Sequence, residues 1–175
     1  GAARSGTGLN ARAIVKAAGM SYDDFSKVEY LPFGEAVELM KNRQLDATLQ
    51  SAGLGVSSIR DLATSVDIVV VPVPVEVVEA VGSEAYQPAV IPAGTYAGQE
   101  ADVATAAIPN FLVTHSGVSD ELAYEMTKQL YENIDSLYAA HNAVKNMKLE
   151  NAVKGMPVPI HPGAEPYSRE QGLMQ

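Results

Sequence analysis

Arg4-Ser5-Gly6-Thr7-Gly8-Leu9-Asn10-Ala11 is a hydroxyl- and glycine-rich turn that runs straight into a helical pattern. Ala11, Ile14, Val15 and Ala18 recur at helical spacing, so a helix starts at the turn, with Thr7 as its expected N-cap. Gly6 and Gly8 carry no side chain to keep a ligand from the backbone. Unpaired N–H groups and the partial positive charge of the helix start face whatever the turn encloses, which suits a carboxylate or a phosphate. From there to about residue 92 short β-rich runs alternate with helical patterns. Lys27-Val28-Glu29-Tyr30-Leu31 reads as a strand, 34–42 as a helix with Ala36, Val37 and Met40 inward, and Asp46-Ala47-Thr48-Leu49 as a second strand. A helix around 56–64 and the run Ile68-Val69-Val70-Val71 follow. This alternation predicts an α/β fold, a doubly wound and mainly parallel sheet that binds ligands at the carboxyl ends of its strands.

The turns at 30–35 and at Gln50-Ser51-Ala52-Gly53-Leu54-Gly55 both follow expected strands, which puts them on the edge that carries Ser5 and Thr7. Gln50 and Ser51 offer side-chain hydrogen bonds, while Gly53 and Gly55 expose amides suited to a carboxylate. Gly6 to Ala11 also has the spacing of the dinucleotide fingerprint, with Asp23, Asp24 and Glu29 in range of a ribose. That fingerprint requires a strand immediately before the turn, and the chain shows none there. The reading is therefore a helix start for a small anionic ligand.

Composition narrows the function classes. The 175 residues are 47% hydrophobic, enough to bury a core. Twelve basic against 21 acidic residues give a net charge of -9 with no Lys/Arg cluster, so nucleic acid and anionic membranes are not expected partners. Zero cysteines removes thiol catalysis, thiolate metal sites and disulfides, and fits either cytoplasm or periplasm. His115, His141 and His161 lack metal-ligand spacing, and no Gly-x-Ser-x-Gly elbow holds Ser5 or Ser51, so neither a metal nor a catalytic group is expected. No apolar run reaches the roughly 18 residues of a membrane helix. Gly1-Ala2-Ala3 reads as a cut point, with upstream residues expected.

Beyond Pro72 and Pro74, residues 86–103 are rich in Pro, Gly and Tyr and form either a structured loop or a crossing between lobes. An apolar run, Val103 to Val113, precedes one long helix from about 119 to 140 that should pack on the sheet. Tyr124, Tyr131 and Tyr138 recur every seven residues on its face and read as packing. The tail Pro157 to Tyr167 has turn chemistry.

Taken in order, these blocks resemble the TAXI family of substrate-binding proteins of tripartite (TRAP) transporters. The resemblance runs through Ser5-Gly6-Thr7 with Asn10-Ala11, Tyr30, Phe33-Gly34-Glu35-Ala36, Asp46-Ala47 and Ala52-Gly53. Its most specific part is Ile91-Pro92-Ala93-Gly94-Thr95-Tyr96 with Gly98-Gln99, then Ala107-Ile108-Pro109-Asn110, and it ends with His161-Pro162-Gly163-Ala164-Glu165 and Tyr167. It implies a class II periplasmic-binding-protein-like fold, an exported protein that closes on a small organic anion such as glutamate or a dicarboxylate, and delivery to a sodium-driven membrane permease. Neither cofactor nor catalysis is implied. Against that pattern the chain lacks about the first third, leaving residues 4–103 as most of the second, ligand-binding lobe and 104–175 as the returning part of the first. Carried over, the resemblance assigns Ser5, Gly6, Thr7 and Asn10 to one ligand-facing group and Gln50, Ser51, Ala52 and Gly53 to another, with Tyr96 and Gln99 serving either ligand or hinge. Incomplete lobes would expose apolar surface, so self-association is expected. Two other readings stand beside the receptor: an enzyme on the same fold that binds a cofactor phosphate at the glycine turn, and the effector domain of a transcription regulator. The regulator would need an upstream helix-turn-helix.

Overall fold

Every segment with helical spacing folds as helix. The structure, a computed structural model, describes residues 1–140, 144–145, 147–156 and 158–174, so His141 and Pro157 lie outside the described residues. Two compact units divide between Ile108 and Pro109.

In the first unit the helices are α1 (Gly6–Ala17), α2 (Phe33–Lys41), α3 (Ser57–Ser65) and α4 (Val75–Ala80). Pro32 and Pro74 stand at the N-caps of α2 and α4, at a chain position where a missing N–H breaks no helical hydrogen bond. Ala36 and Val37 of α2 and Leu62 of α3 are buried, and the two helices pack on each other. Lys41 Nζ lies 2.6 Å from Asp61 Oδ2 and 3.0 Å from Glu38 Oε1, which ties α2 to α3; Asp61 first, then Glu38, raise the Lys41 pKa. Val78 is the buried residue of α4, which packs against α1 and against a hairpin.

That hairpin corrects the reading of residues 86–103. Strand β1 (Gln87–Ile91) pairs antiparallel with β2 (Val103–Ala107), in register from Gln87 opposite Ala107 to Ile91 opposite Val103. The intervening loop is closed by Gly94 N–H donating to Gln99 O at 2.8 Å and Ala93 N–H to Asp102 Oδ1 at 2.8 Å. Gly94 at φ 75° and Gly98 at φ 78° occupy the left-handed region this tight loop requires.

The expected parallel sheet is a second departure. Among the described residues the sheet is two-stranded and antiparallel, and 27–31, 46–49 and 68–71 join no ladder. Among the described residues their backbone groups make no backbone hydrogen bond; two residues past Val71, Val73 N–H donates to Ala104 O at 2.9 Å. Strand propensity is a fit to a pleated, half-buried surface, and a strand exists only once its N–H and C=O groups find a neighbour. Ile68 and Val70 are half-buried while Val69 and Val71 are 85% and 74% exposed, so the two-residue alternation of a strand is present without the pairing.

The second unit holds α5 (Asp120–Glu132), α6 (Ile134–Ala140) and α7 (Ala164–Glu170). The single helix expected over 119–140 breaks at Asn133, whose backbone N–H at 3.2 Å and Nδ2 at 2.9 Å both donate to Gln129 O at the end of α5. Ser119 caps α5, its Oγ accepting from Leu122 N–H at 3.2 Å, with Asp120 and Glu121 in the first turn. The tyrosine stripe packs. Tyr131 stacks on buried Tyr167 at 6.4 Å and 13°, and Tyr124 meets the same ring edge-on at 6.1 Å and 79°. Burial raises the pKa of Tyr131 and Tyr167, while the hydrogen bond from Tyr124 to Glu170 is the main cause of its raised value.

Two predictions follow from this packing. Backbone amides of β1 and β2 should exchange with deuterium slowly, and those of 27–31, 46–49 and 68–71 close to the unprotected rate; protection of the latter group would show that they pair with another strand. A Cβ on Gly163 would overlap the backbone carbonyl of Asp120, so Gly163→Ala should destabilise the α5–α7 unit by about 1–3 kcal/mol in urea unfolding. An unchanged midpoint would contradict that contact.

Candidate functional site

The glycine turn supplies a helix start with donors to spare. Ser5 is the N-cap in place of Thr7: its backbone is extended, and its Oγ accepts from Gly8 N–H at 3.1 Å, the third helical amide. The helix therefore begins two residues earlier than a Thr7 cap allows, and Thr7 is buried inside the first turn. Among the described residues the N–H groups of Gly6 and Thr7 have no hydrogen-bond partner. A Cβ at Gly6 would meet nothing within 4 Å, so no protein atom covers that side of the turn.

One turn further, Asn10 binds two distant segments at once. Its Nδ2 donates to Ser51 Oγ at 2.9 Å, and its Oδ1 accepts from Tyr86 O–H at 2.9 Å, across sequence separations of 41 and 76 residues. The first predicted group thus touches the second directly. Beside Ser51, the Gln50 Oε1 accepts from Ser58 O–H at 2.5 Å, and Gln50 Nε2 is buried with no partner among the described residues. Such a donor costs about 1–3 kcal/mol until an acceptor reaches it. Ala52 and Gly53 are exposed on the same loop.

Tyr96 and Gln99 stand behind this loop. Tyr96 is 9% exposed, and its hydroxyl accepts from Gly55 N–H at 3.3 Å, where Gly55 turns the loop at φ 70°. Gln99 Oε1 accepts from Tyr96 N–H at 3.3 Å, while its Nε2 donates to Ile91 O, Pro92 O and Ala101 O at 3.1, 3.1 and 3.0 Å. The amide of Gln99 is thus fully engaged in holding the hairpin loop. Tyr86 and Ser58 are the site neighbours that sequence reasoning missed; Tyr86 carried only the signal of a hydroxyl at the start of a Pro-rich segment.

Electrostatics favour a negative ligand. In a chain of net charge -9 no acidic residue precedes Asp23, and α1 has none in its first turn, whereas Arg4, Arg12 and Lys16 all belong to this stretch. Residues 1–172 match the family model described as the NMT1-like family. The chain belongs to the NMT1-like family. This is a periplasmic solute-binding family related to TRAP and NMT1 receptors, so an NMT1-like chain has a solute-binding role, and its mixed α/β elements fit a periplasmic-binding-protein-like domain. No described helix is long and apolar enough to cross a membrane.

Asn10→Ala removes both long-range hydrogen bonds and should lower stability by about 1–2 kcal/mol in urea unfolding, with Ser51→Ala costing less because Tyr86 keeps its acceptor. Equal, negligible effects from both substitutions would show that the Asn10 junction does not organise the site.

Proposed function

We propose that this NMT1-like protein is a receptor of TAXI type that captures a small organic anion, glutamate- or dicarboxylate-like, outside the cytoplasm and delivers it to a TRAP membrane permease. The observation that carries the reading is the Asn10–Ser51 hydrogen bond, which sets the open end of α1 beside the Gln50–Gly55 loop. In this reading residues 4–103 form the ligand-binding lobe and 104–175 belong to the other lobe.

A carboxylate at the helix start would accept from the unpaired Gly6 and Thr7 amides and gain from the helix dipole. Ser5 and Asn10 flank it on α1; Ser51, Ala52 and Gly53 offer hydroxyl and amide donors from the loop. The orphaned Gln50 Nε2 supports a ligand role for that loop, because a small shift would give it a carboxylate acceptor. Tyr96 and Gln99 act through the loop, holding it in place. The protein's task is then to bind and release, with no residue assigned to bond making.

A receptor is stabilised by its ligand with the logarithm of ligand concentration over Kd, by about 2.7 kcal/mol at one hundred times Kd. A thermal-shift screen against amino acids, dicarboxylates, 2-oxoacids and nucleotides should show a rise of several degrees for one small carboxylate. A response to nucleotides alone would overturn the receptor reading in favour of an enzyme on the same fold.

A further inference from the structure

Two exposed helix stripes of opposite charge lie in different units of the chain. On α1, Leu9, Arg12 and Lys16 are exposed and recur at helical spacing, so they share one face. On α5, Glu121, Leu122, Glu125 and Met126 are exposed and share one face in the same way. Leu9 is 67% exposed, Leu122 52% and Met126 41%, so each stripe also carries apolar surface that this chain leaves in solvent.

Neither stripe is neutralised where it stands. Among the described residues Arg12, Lys16, Glu121 and Glu125 form no ion pair. On each helix the two charges of one sign are four residues apart, a spacing at which like charges repel. Lys16 in the last turn of α1 and Glu121 in the first turn of α5 suit their own helix dipoles, whereas Arg12 and Glu125 lie further in and gain little from them. Neighbouring charges are engaged elsewhere: Asp24 Oδ2 accepts from Ser21 N–H at 2.7 Å, Glu29 pairs with Lys27 at 2.6 Å, and Lys128 Nζ lies 5.9 Å from the centre of the Tyr124 ring.

Aromatic rings back the α1 stripe. The Arg12 guanidinium lies 4.6 Å from the centre of the Tyr22 ring and 5.9 Å from that of Tyr30, and Nη2 donates to the Tyr30 hydroxyl at 2.8 Å. Tyr22 meets the exposed Phe25 edge-on at 6.4 Å and 78°. An arginine held among exposed aromatic rings has the composition of the centre of a protein–protein interface. On α5, Met126 borders a groove of about 380 Å³ whose lining includes Leu112, Leu130 and Leu137.

We infer that α1 of one copy docks on α5 of a second copy. The spacing supports an antiparallel crossing. With Lys16 opposite Glu121, Arg12 falls opposite Glu125, since each pair is four residues, about 6 Å, apart along its helix. The same register brings Leu9 within one turn of Met126 and its groove. Exposed ion pairs are individually weak, so Leu9, Leu122 and Met126 supply the affinity while the charges select the face and its direction. That selection matters in a chain of net charge -9, whose copies otherwise repel. The contact joins unlike faces of two copies and uses none of the residues that the receptor reading places against the ligand.

Sedimentation velocity of the whole chain over a range of concentrations tests this with two charge-reversed variants, Arg12→Glu with Lys16→Glu and Glu121→Lys with Glu125→Lys. All four residues are exposed, so both variants should melt close to the parent. The parent should associate, and each variant alone, left with two stripes of one sign, should associate at least tenfold more weakly. An equimolar mixture of the two should recover association close to that of the parent, because the reversed α1 of one variant then faces the reversed α5 of the other. Lys16→Glu alone, which leaves the contacts of Arg12 with the tyrosines in place, should give an intermediate loss. The inference is overturned if the parent is monomeric throughout, if either double variant associates like the parent, or if the mixture associates no better than its components. Solute binding is a separate readout: a Glu121→Lys, Glu125→Lys variant still stabilised by a small carboxylate but no longer associating supports the docking contact, and a parent that associates yet responds to no solute fails the receptor reading alone.

Discussion

The Asn10 side chain is the constraint on which the rest of the site depends. Its amide satisfies a hydroxyl acceptor on one loop and a hydroxyl donor at the start of the hairpin, so three segments distant in sequence are set against one helix turn. An amide suits this position because it alone among the neutral short side chains donates and accepts at separate atoms. The Gln50–Gly55 loop then needs a second support, supplied by the Tyr96 hydroxyl, and Tyr96 in turn is fixed by the saturated amide of Gln99. Hydrogen bonds therefore run in series from the helix start to the hairpin loop. The N–H groups of Gly6 and Thr7 and the buried Gln50 Nε2 have no partner among the described residues, and unpaired donors suit a surface that binds anions.

Helices were legible in the sequence because their evidence is local. Ala36 and Val37 were expected inward and are buried, and the first turn of α1 was recognisable from glycine and hydroxyl residues alone. Its cap shifted from Thr7 to Ser5 because two neighbouring hydroxyl residues compete for that role, and only geometry decides which oxygen reaches the third amide. Helix α5 ends at Asn133 although the apolar spacing continues, and Asn133 donates to Gln129 O through both its backbone N–H and its side chain.

Strands were less legible because pairing is not local. Val69 and Val71 show strand-like alternation yet point to solvent, and the segments at 27–31 and 46–49 have the same unpaired backbone. The hairpin was obscured in the opposite way. Prolines and glycines in 86–103 read as loop, while the ladder on either side rests on short alanine- and valine-containing runs with little pattern of their own. Of the site, Ser5, Asn10 and Ser51 could be named in advance, but their junction through Tyr86 required the fold.

A crystal structure of the protein with the small carboxylate that stabilises it would test the central claim most directly. The account predicts a carboxylate oxygen within about 3 Å of the Gly6 and Thr7 amides, with the Asn10–Ser51 hydrogen bond intact and the Gln50 amide turned toward the ligand. A ligand seated away from α1 and the Gln50–Gly55 loop would contradict it.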